Sequence, residues 1–452
     1  MKSRLTILLL VVFLALLAVV LFLKPRAQGE LEAKLVDLKV EDIQKMTLKK
    51  GTDVIGFQKD EKGDWTITEP LPAKADSFEV NRLAEDFSSL KLEKVVEENP
   101  KDPAAFGIPQ TEVSLWVKGQ DKPVTVALGS ENPLDNTIYA RKAGETRVVL
   151  LPGLIKSDID KKLFDFRQKD IFHFETADVA TIILKAKDIR WEAALKGGEW
   201  FLRKPVTGLA QKTRVDALLN ALSGLRAKVF AVEQKTPADL KKYGLAKPDY
   251  EVSLGLPKSN QALVFLAQKK DDKVYITTSA SDKVVVAEDQ ALTDMEKKPD
   301  DMRDRRVDVF NAWEAERLAI LSPGLDVTVA KNKPGNWIFL SGEKGEADSS
   351  KVESFIRQVG ALEAVEIIDK PGPLASYGLD KPQAEVKVQV PGEAGQKREV
   401  VLLIGAENKA KKQMVIKNPR FDYLFRVGSS FLDEFPKAAK DWKKEEPKDK
   451  KQ

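Results

Sequence analysis

One histidine, His173, and no cysteine confine the chemistry open to this 452-residue chain. Without cysteine there is no disulfide, no thiolate nucleophile and no thiolate zinc site. A single imidazole cannot build a His-rich zinc centre, although it suffices for a Ser–His–Asp relay. His173 lies between Phe172 and Phe174, which favours packing over catalysis. Two acidic constellations remain. Asp300, Asp301 and Asp304 alternate with Arg303, Arg305 and Arg306, a pattern that reads as a self-paired, solvated linker. Gly129-Ser130-Glu131-Asn132 recurs as Gly405-Ala406-Glu407-Asn408, and such residues suit either a divalent cation or a hairpin turn. No nucleophile elbow, Walker loop, dinucleotide fingerprint or H-E-x-x-H pair occurs. A hydrolase on this chain would have to use perturbed carboxylates in one cleft, drawn from residues unique to one part of it.

Aromatic residues offer a different chemistry. Trp65, Trp200 and Trp337 each follow a glycine turn, as Gly63-Asp64-Trp65, Gly198-Glu199-Trp200 and Gly335-Asn336-Trp337. Indole faces stack on sugars when exposed and anchor cores when buried, and the placement within a strand fits both. A second marker follows each tryptophan: Phe106-Gly107-Ile108-Pro109, Tyr243-Gly244 with Pro248, and Tyr377-Gly378 with Pro382. Gly107, Gly244 and Gly378 suit an outward-facing anion cradle or a positive φ. Pro109, Pro248 and Pro382 set the extended segment that follows.

These markers recur at 134 to 137 residues, so the elements that position them recur as well. Features present three times build a module more readily than they furnish one active site. Alternating runs such as Val54-Ile55-Gly56-Phe57 and Glu112-Val113-Ser114-Leu115-Trp116-Val117 predict strands. Between them Val80, Leu83, Ala84, Phe87 and Leu90 fall on one helical face. That face returns from Val215 and from Val352, with starts expected at Asp76, Thr213 and Ser350. The expected fold class is α+β: three tandem modules, each a mainly antiparallel sheet with a packed amphipathic helix, over 36–174, 175–310 and 311–436. A charge at Leu218 or Phe355 is expected to unfold a module, and one at Arg82 or Gln358 to do little. Lys437–Gln452, with seven lysines and four acids, is expected to be disordered.

The 74 basic and 70 acidic residues leave a net charge of +4, no footprint for nucleic acid. Leu5–Leu23 is apolar apart from Thr6 and would span about 28 Å as a helix, close to a bilayer core. With Lys2 and Arg4 before it and no small-residue cleavage site after, it reads as an uncleaved signal anchor. Residues 1–4 would be cytoplasmic and the modules periplasmic, on a bacterial inner membrane.

The anchor, the glycine-led tryptophan strands, the helix, the aromatic-Gly turns and the Arg167-Gln168-Lys169 and Arg303-Asp304-Arg305 junctions together resemble the bacterial DUF4340-containing family. The likeness covers roughly residues 36–435. It implies companionship with an ABC-type permease or its auxiliary subunit, with no catalytic residue and no cofactor to carry over. Three functions are therefore weighed: a non-catalytic anchored scaffold of a transport complex, a binder of envelope glycan or polymer, and an unrecognised envelope hydrolase.

Overall fold

The computed structural model describes residues 34–259, 261–392 and 395–445. The anchor assigned to residues 5–23 lies outside them. No helix among the described residues is long and apolar enough to cross a membrane. The described residues up to Lys169 and those from Asp170 on form two compact units; the first holds one module and the second holds two.

Module 1 contains β1 (Ile43–Lys50), β2 (Asp53–Lys59), β3 (Trp65–Glu69), β4 (Ala73–Lys74), the helix α1 (Ser77–Ser88), β5 (Lys94–Glu97), β6 (Thr111–Val117), β7 (Val124–Glu131), β8 (Thr137–Lys142) and β9 (Val148–Pro152). The strands form one antiparallel sheet in the order β4-β3-β2-β1-β6-β7-β8-β9-β5. Modules 2 and 3 repeat that order strand for strand. Their long helices are α2 (Lys212–Ser223) and α3 (Ser349–Ala361). Nine strands to one long helix makes each module mostly sheet.

Period-two burial explains the inward face. In β6, Thr111, Val113 and Leu115 are buried while Glu112, Ser114 and Trp116 are half-exposed. Each long helix leads from one edge strand of its sheet to the other, so it must cross the face that those residues fill. Val80, Leu83, Ala84 and Phe87 of α1 join Met46, Phe57, Val113 and Leu128 in one core. Val215, Leu218, Leu219 and Leu222 do the same in module 2, and Val352, Phe355, Ile356 and Val359 in module 3. Each such Val, Leu, Ile or Phe side chain contributes roughly 1.5 to 3 kcal/mol. The three cores are thus built from equivalent positions.

Four expectations need correction. The helix starts lie two residues earlier than expected in modules 2 and 3. Asp348 caps α3 by accepting from Ser350 and Lys351 amides, as Asp76 caps α1 by accepting from Glu79, while Gln211 precedes α2 without a side-chain cap. Thr213 and Ser350 are inside their helices because the aspartate (or glutamine) ahead of them already occupies the extended residue before the first turn.

The module boundaries also move. Phe166 belongs to the module 1 core, but Phe172 belongs to that of module 2. Met302 belongs to module 2 and Val307 to module 3. The junctions therefore fall near 169/170 and 303–306, not 174/175 and 310/311. The shared segment is a two-sided strap. Its first half closes the module just finished, through bridges of Arg167 to Ala75 and Arg303 to Ala210. Its second half opens the next, through bridges of Asp170 to Arg226 and Arg306 to Glu363.

The same logic orders part of the C-terminal tail. Ala439–Trp442 is a 3₁₀ turn, and Lys443 bridges Ala347 just as Arg167 bridges Ala75. Trp442 is buried against Phe355 at 5.5 Å between ring centroids. Asp348 donates its amide to the Trp442 carbonyl at 2.7 Å, as Asp76 does to Phe166 and Gln211 to Met302. Trp442, with Ala439 buried beside it in the module 3 core, anchors a segment that composition alone reads as polar. Residues 446–452 of the expected tail lie outside the described residues.

Finally, Arg82 is not a neutral surface position. Its Nε lies 3.1 Å from the buried carboxylate of Asp158.

Candidate functional site

The repeated markers are spent on folding. Trp65, Trp200 and Trp337 are 3%, 5% and 0% exposed, so no indole face is open to a sugar. Trp65 Nε1 donates to Asn81 Oδ1 at 2.6 Å, and Trp337 Nε1 donates to Glu353 Oε1 at 3.2 Å. Both acceptors lie sixteen residues on, in the long helix of the same module. In modules 1 and 3 the tryptophan therefore fastens helix to sheet while filling the core.

Gly107, Gly244 and Gly378 have φ of 73°, 77° and 66°. A Cβ on Gly107 would lie 2.3 Å from Ser130 Oγ, and one on Gly378 2.8 Å from the Ala406 amide. The partner motif is thereby explained. A Cβ on Gly129 would meet the Phe106 carbonyl oxygen at 2.2 Å, and one on Gly405 that of Tyr377 at the same distance. Both glycines lie in β-bulges, where register slips between Leu128 and Glu131 and between Ile404 and Glu407. Module 2 has no slip in that strand pair, and Gln268 faces Gly244 instead. Gly129-Ser130-Glu131-Asn132 is thus a bulge that receives the aromatic-Gly turn, not a hairpin turn. Among the described residues no group of three or more His, Cys, Asp or Glu is placed to hold a metal ion. Pro109 and Pro382 are surface residues of these turns, while Pro248 is buried.

His173 is exposed, between buried Phe172 and half-exposed Phe174. The acidic-basic run divides. Asp304 and Arg306 do pair, at 2.6 Å. Arg303 and Asp304, however, are buried, so the run is not a solvated linker. Arg303 holds both Asp369 oxygens, at 3.0 and 2.7 Å, and donates to the Thr207 carbonyl at 2.7 Å. Its guanidinium also lies 5.0 Å from the ring of Tyr423, whose phenol burial pushes up to about 12.

Beside it stands Asp308, buried in module 3. It accepts from Arg398 at 2.8 Å, Asn418 at 2.9 Å and the Val309 amide at 2.7 Å, with Arg420 at 3.5 Å. Arg420 also pairs with Glu199 of module 2. A cavity of about 700 Å³ opens next to this network, lined by Glu199, Phe201, Phe310, Arg398 and Arg420 among others. Every cation of the network already has a carboxylate. The arrangement docks modules 2 and 3 to each other more convincingly than it selects a ligand.

Among the described residues, the one perturbed pair of carboxylates in mutual contact is in module 1. Asp86 of α1 hydrogen-bonds Asp158, and burial first, then that neighbour, raises Asp86 from 3.8 to about 6. Burial alone would raise Asp158 too, but hydrogen bonds from Asp86 and Lys161 and the charge of Arg82 hold it below the usual carboxylate range. Lys161 reaches Asp158 at 2.8 Å and Glu79 at 2.6 Å. The pair therefore shares one proton over mildly acidic pH. At the equivalent place module 2 has Ala217 for Arg82, and a cavity of about 420 Å³ lined by Arg214, Asp294, Lys297 and Asp301.

The linkage has a definite sign. Asp86 binds its proton more tightly folded than unfolded, so stability falls as pH rises from about 4 through about 6 and levels only above that. Asp158 acts oppositely and loses its contribution only below its ordinary 3.8. Asp86→Asn keeps a donor toward Asp158 and cannot ionise. Its module 1 transition in urea should be flat from pH 4 to 7, and stabler at pH 7 by on the order of 1 kcal/mol after allowance for solvent screening. A wild-type transition already flat over that range would refute the shared proton.

The family model for DUF4340, a domain of unknown function, matches residues 65–237, 200–371 and 337–450. The chain belongs to the DUF4340 family. Each match begins on a repeat tryptophan and runs past the strap into the next module or to the C-terminal turn. No curated protein sequence matches the chain. Among solved structures, it is similar to the DNA polymerase III subunit beta from Pseudomonas aeruginosa at 9% identity over 87% of this chain and 94% of that one, with a TM-score of 0.15. A DNA polymerase sliding clamp from Pseudomonas aeruginosa with ligand gives 8% identity over 87% and 93%, again with a TM-score of 0.15. Likeness at that score carries no inference about this DUF4340 protein.

Proposed function

We propose that this protein is a non-catalytic scaffold or auxiliary subunit, anchored in a bacterial inner membrane with its modules in the periplasm, that serves an ABC-type transport complex. The carrying observation is where the repeated residues go. Tryptophans, helix stripes and glycine turns are all consumed by cores and bulges, so what remains to act is surface. Arg303, Asp308 and Arg420 lock modules 2 and 3 into one unit, which suits a rigid spacer. The transport assignment rests on the family resemblance and the apolar N-terminal run.

The glycan reading loses the three indoles that motivated it. The hydrolase reading has the perturbed pair Asp86 and Asp158, of which Asp86 has no counterpart in module 2, where Ala221 stands, while Asp158 recurs there as Asp294. Yet Asp158 is buried under Lys161 and Arg82, where it braces α1 in place of facing a substrate.

Affinity capture of the full chain from gently solubilised membranes tests the proposal. An ABC-type permease or its auxiliary subunit should co-purify. Recovery of the chain alone across several detergents would overturn it.

A further inference from the structure

Module 1 carries apolar side chains that its own fold does not use. Leu134, in the β7–β8 connection, is 90% exposed, and Leu154, just after β9, is 78% exposed. Pro133 beside them is exposed as well. They are neighbours: the Gly153 amide donates to the Asn136 carbonyl at 2.9 Å, joining the two loops at one end of the sheet.

The sister modules serve as internal controls. In place of Pro133–Asn136, module 2 has the tight turn Asp271-Asp272 and module 3 has Lys409-Ala410-Lys411-Lys412. After the strand equivalent to β9 they have Glu288-Asp289 and Ser429-Ser430. The fold is thus complete with polar residues at both places, and the leucines of module 1 answer to something outside it.

Chain continuity indicates what that is. β9 finishes, and β5 and β8 begin, at this same sheet end, since Lys94 pairs with Leu150 and Thr137 with Pro152. Lys91, three residues before β5, bridges Lys34, the first described residue. The chain therefore enters module 1 at the end where the leucines protrude. Ten residues, 24–33, separate Lys34 from the apolar run Leu5–Leu23. Fully extended they reach at most about 35 Å, so this end cannot stray far from wherever that run resides.

We propose that Pro133, Leu134 and Leu154 form a membrane-apposed edge, with the leucines entering the boundary between lipid headgroups and acyl chains. The inference rests on the anchored reading above. It adds an orientation: module 1 lies with its β7–β8 and post-β9 loops on the bilayer, and the β6–β7 turn at the opposite sheet end points away.

The cysteine-free sequence makes the test direct. Full-length Leu134→Cys, Leu154→Cys and the control Gln120→Cys, in the exposed β6–β7 turn, are labelled with an environment-sensitive fluorophore. Each is reconstituted into vesicles of phosphatidylethanolamine and phosphatidylglycerol, with and without nitroxide-bearing lipid. Emission at 134 and 154 should shift to the blue and be lost to nitroxide quenching, while that at 120 should change in neither respect. If the chain floats with the vesicles but all three labels stay aqueous, the membrane edge is wrong and the anchor stands. If it fails to float, both fall. A blue shift at 134 and 154 seen only when solubilised membrane proteins are added, without lipid quenching, would assign the edge to a protein and overturn the proposal.

Discussion

Phe355→Asp is expected to unfold module 3. Phe355 is almost fully buried, and its ring meets Phe431, Phe435 and Trp442 at 5.6, 5.2 and 5.5 Å between centroids. Removing a buried phenylalanine costs about 3 to 5 kcal/mol. A carboxylate in its place has no partner there and must either stay charged in an apolar site or pull in water, each at further cost. The sum reaches the whole stability of an ordinary domain, about 5 to 15 kcal/mol. Gln358→Glu, one residue from the buried Val359 but half-exposed itself, should shift the transition by no more than about 0.5 kcal/mol. Urea unfolding of both variants separates the cases. A cooperative module 3 transition that survives Phe355→Asp with its midpoint intact would mean that the α3 stripe does not hold the module.

Asp308→Ala should be the most damaging polar change. It removes the carboxylate from beneath Arg398, Arg420 and Asn418 and leaves like charges facing one another around an empty pocket. Breaking a buried ion pair from one side costs about 3 to 5 kcal/mol, and the lower figure applies because Arg398 retains some solvent. Arg398→Ala should cost less, since Asn418 and Arg420 continue to satisfy Asp308. Differential scanning calorimetry reads both. Equal losses for the two variants would show that the hub is not Asp308.

The periodicity that exposes the modules also explains which details stay hidden. Val80, Val215 and Val352 announce their helices because burial along a helix repeats every three to four residues. The same offsets place Trp65, Trp200 and Trp337 on equivalent strands. Sheet order was not readable: β5 joins β9 at the far edge, a pairing between strands some 50 residues apart that no local pattern encodes. The Asp86–Asp158 contact links residues that only the packing of α1 brings together, and Arg82 looked inert because its partner is distant in the chain. Asp308 did leave a trace. It stands where module 2 has the buried Phe172, and a polar residue at an apolar repeat position marks a site with new partners. Trp442 left a fainter one, a lone aromatic in a lysine-rich stretch.

Hydrogen exchange on the Phe355→Asp chain most directly tests the central claim that each repeat builds its own core around its own tryptophan and helix. Three peptides report, one from each tryptophan strand: 65–69, 199–204 and 336–341. Amides of 336–341 should exchange at the unfolded rate while those of 65–69 keep wild-type protection. The 199–204 strand should fall between them, because Phe201 packs against the module 3 core. Loss of protection in 65–69 together with 336–341 would contradict the account, as it would mean one shared core in place of three.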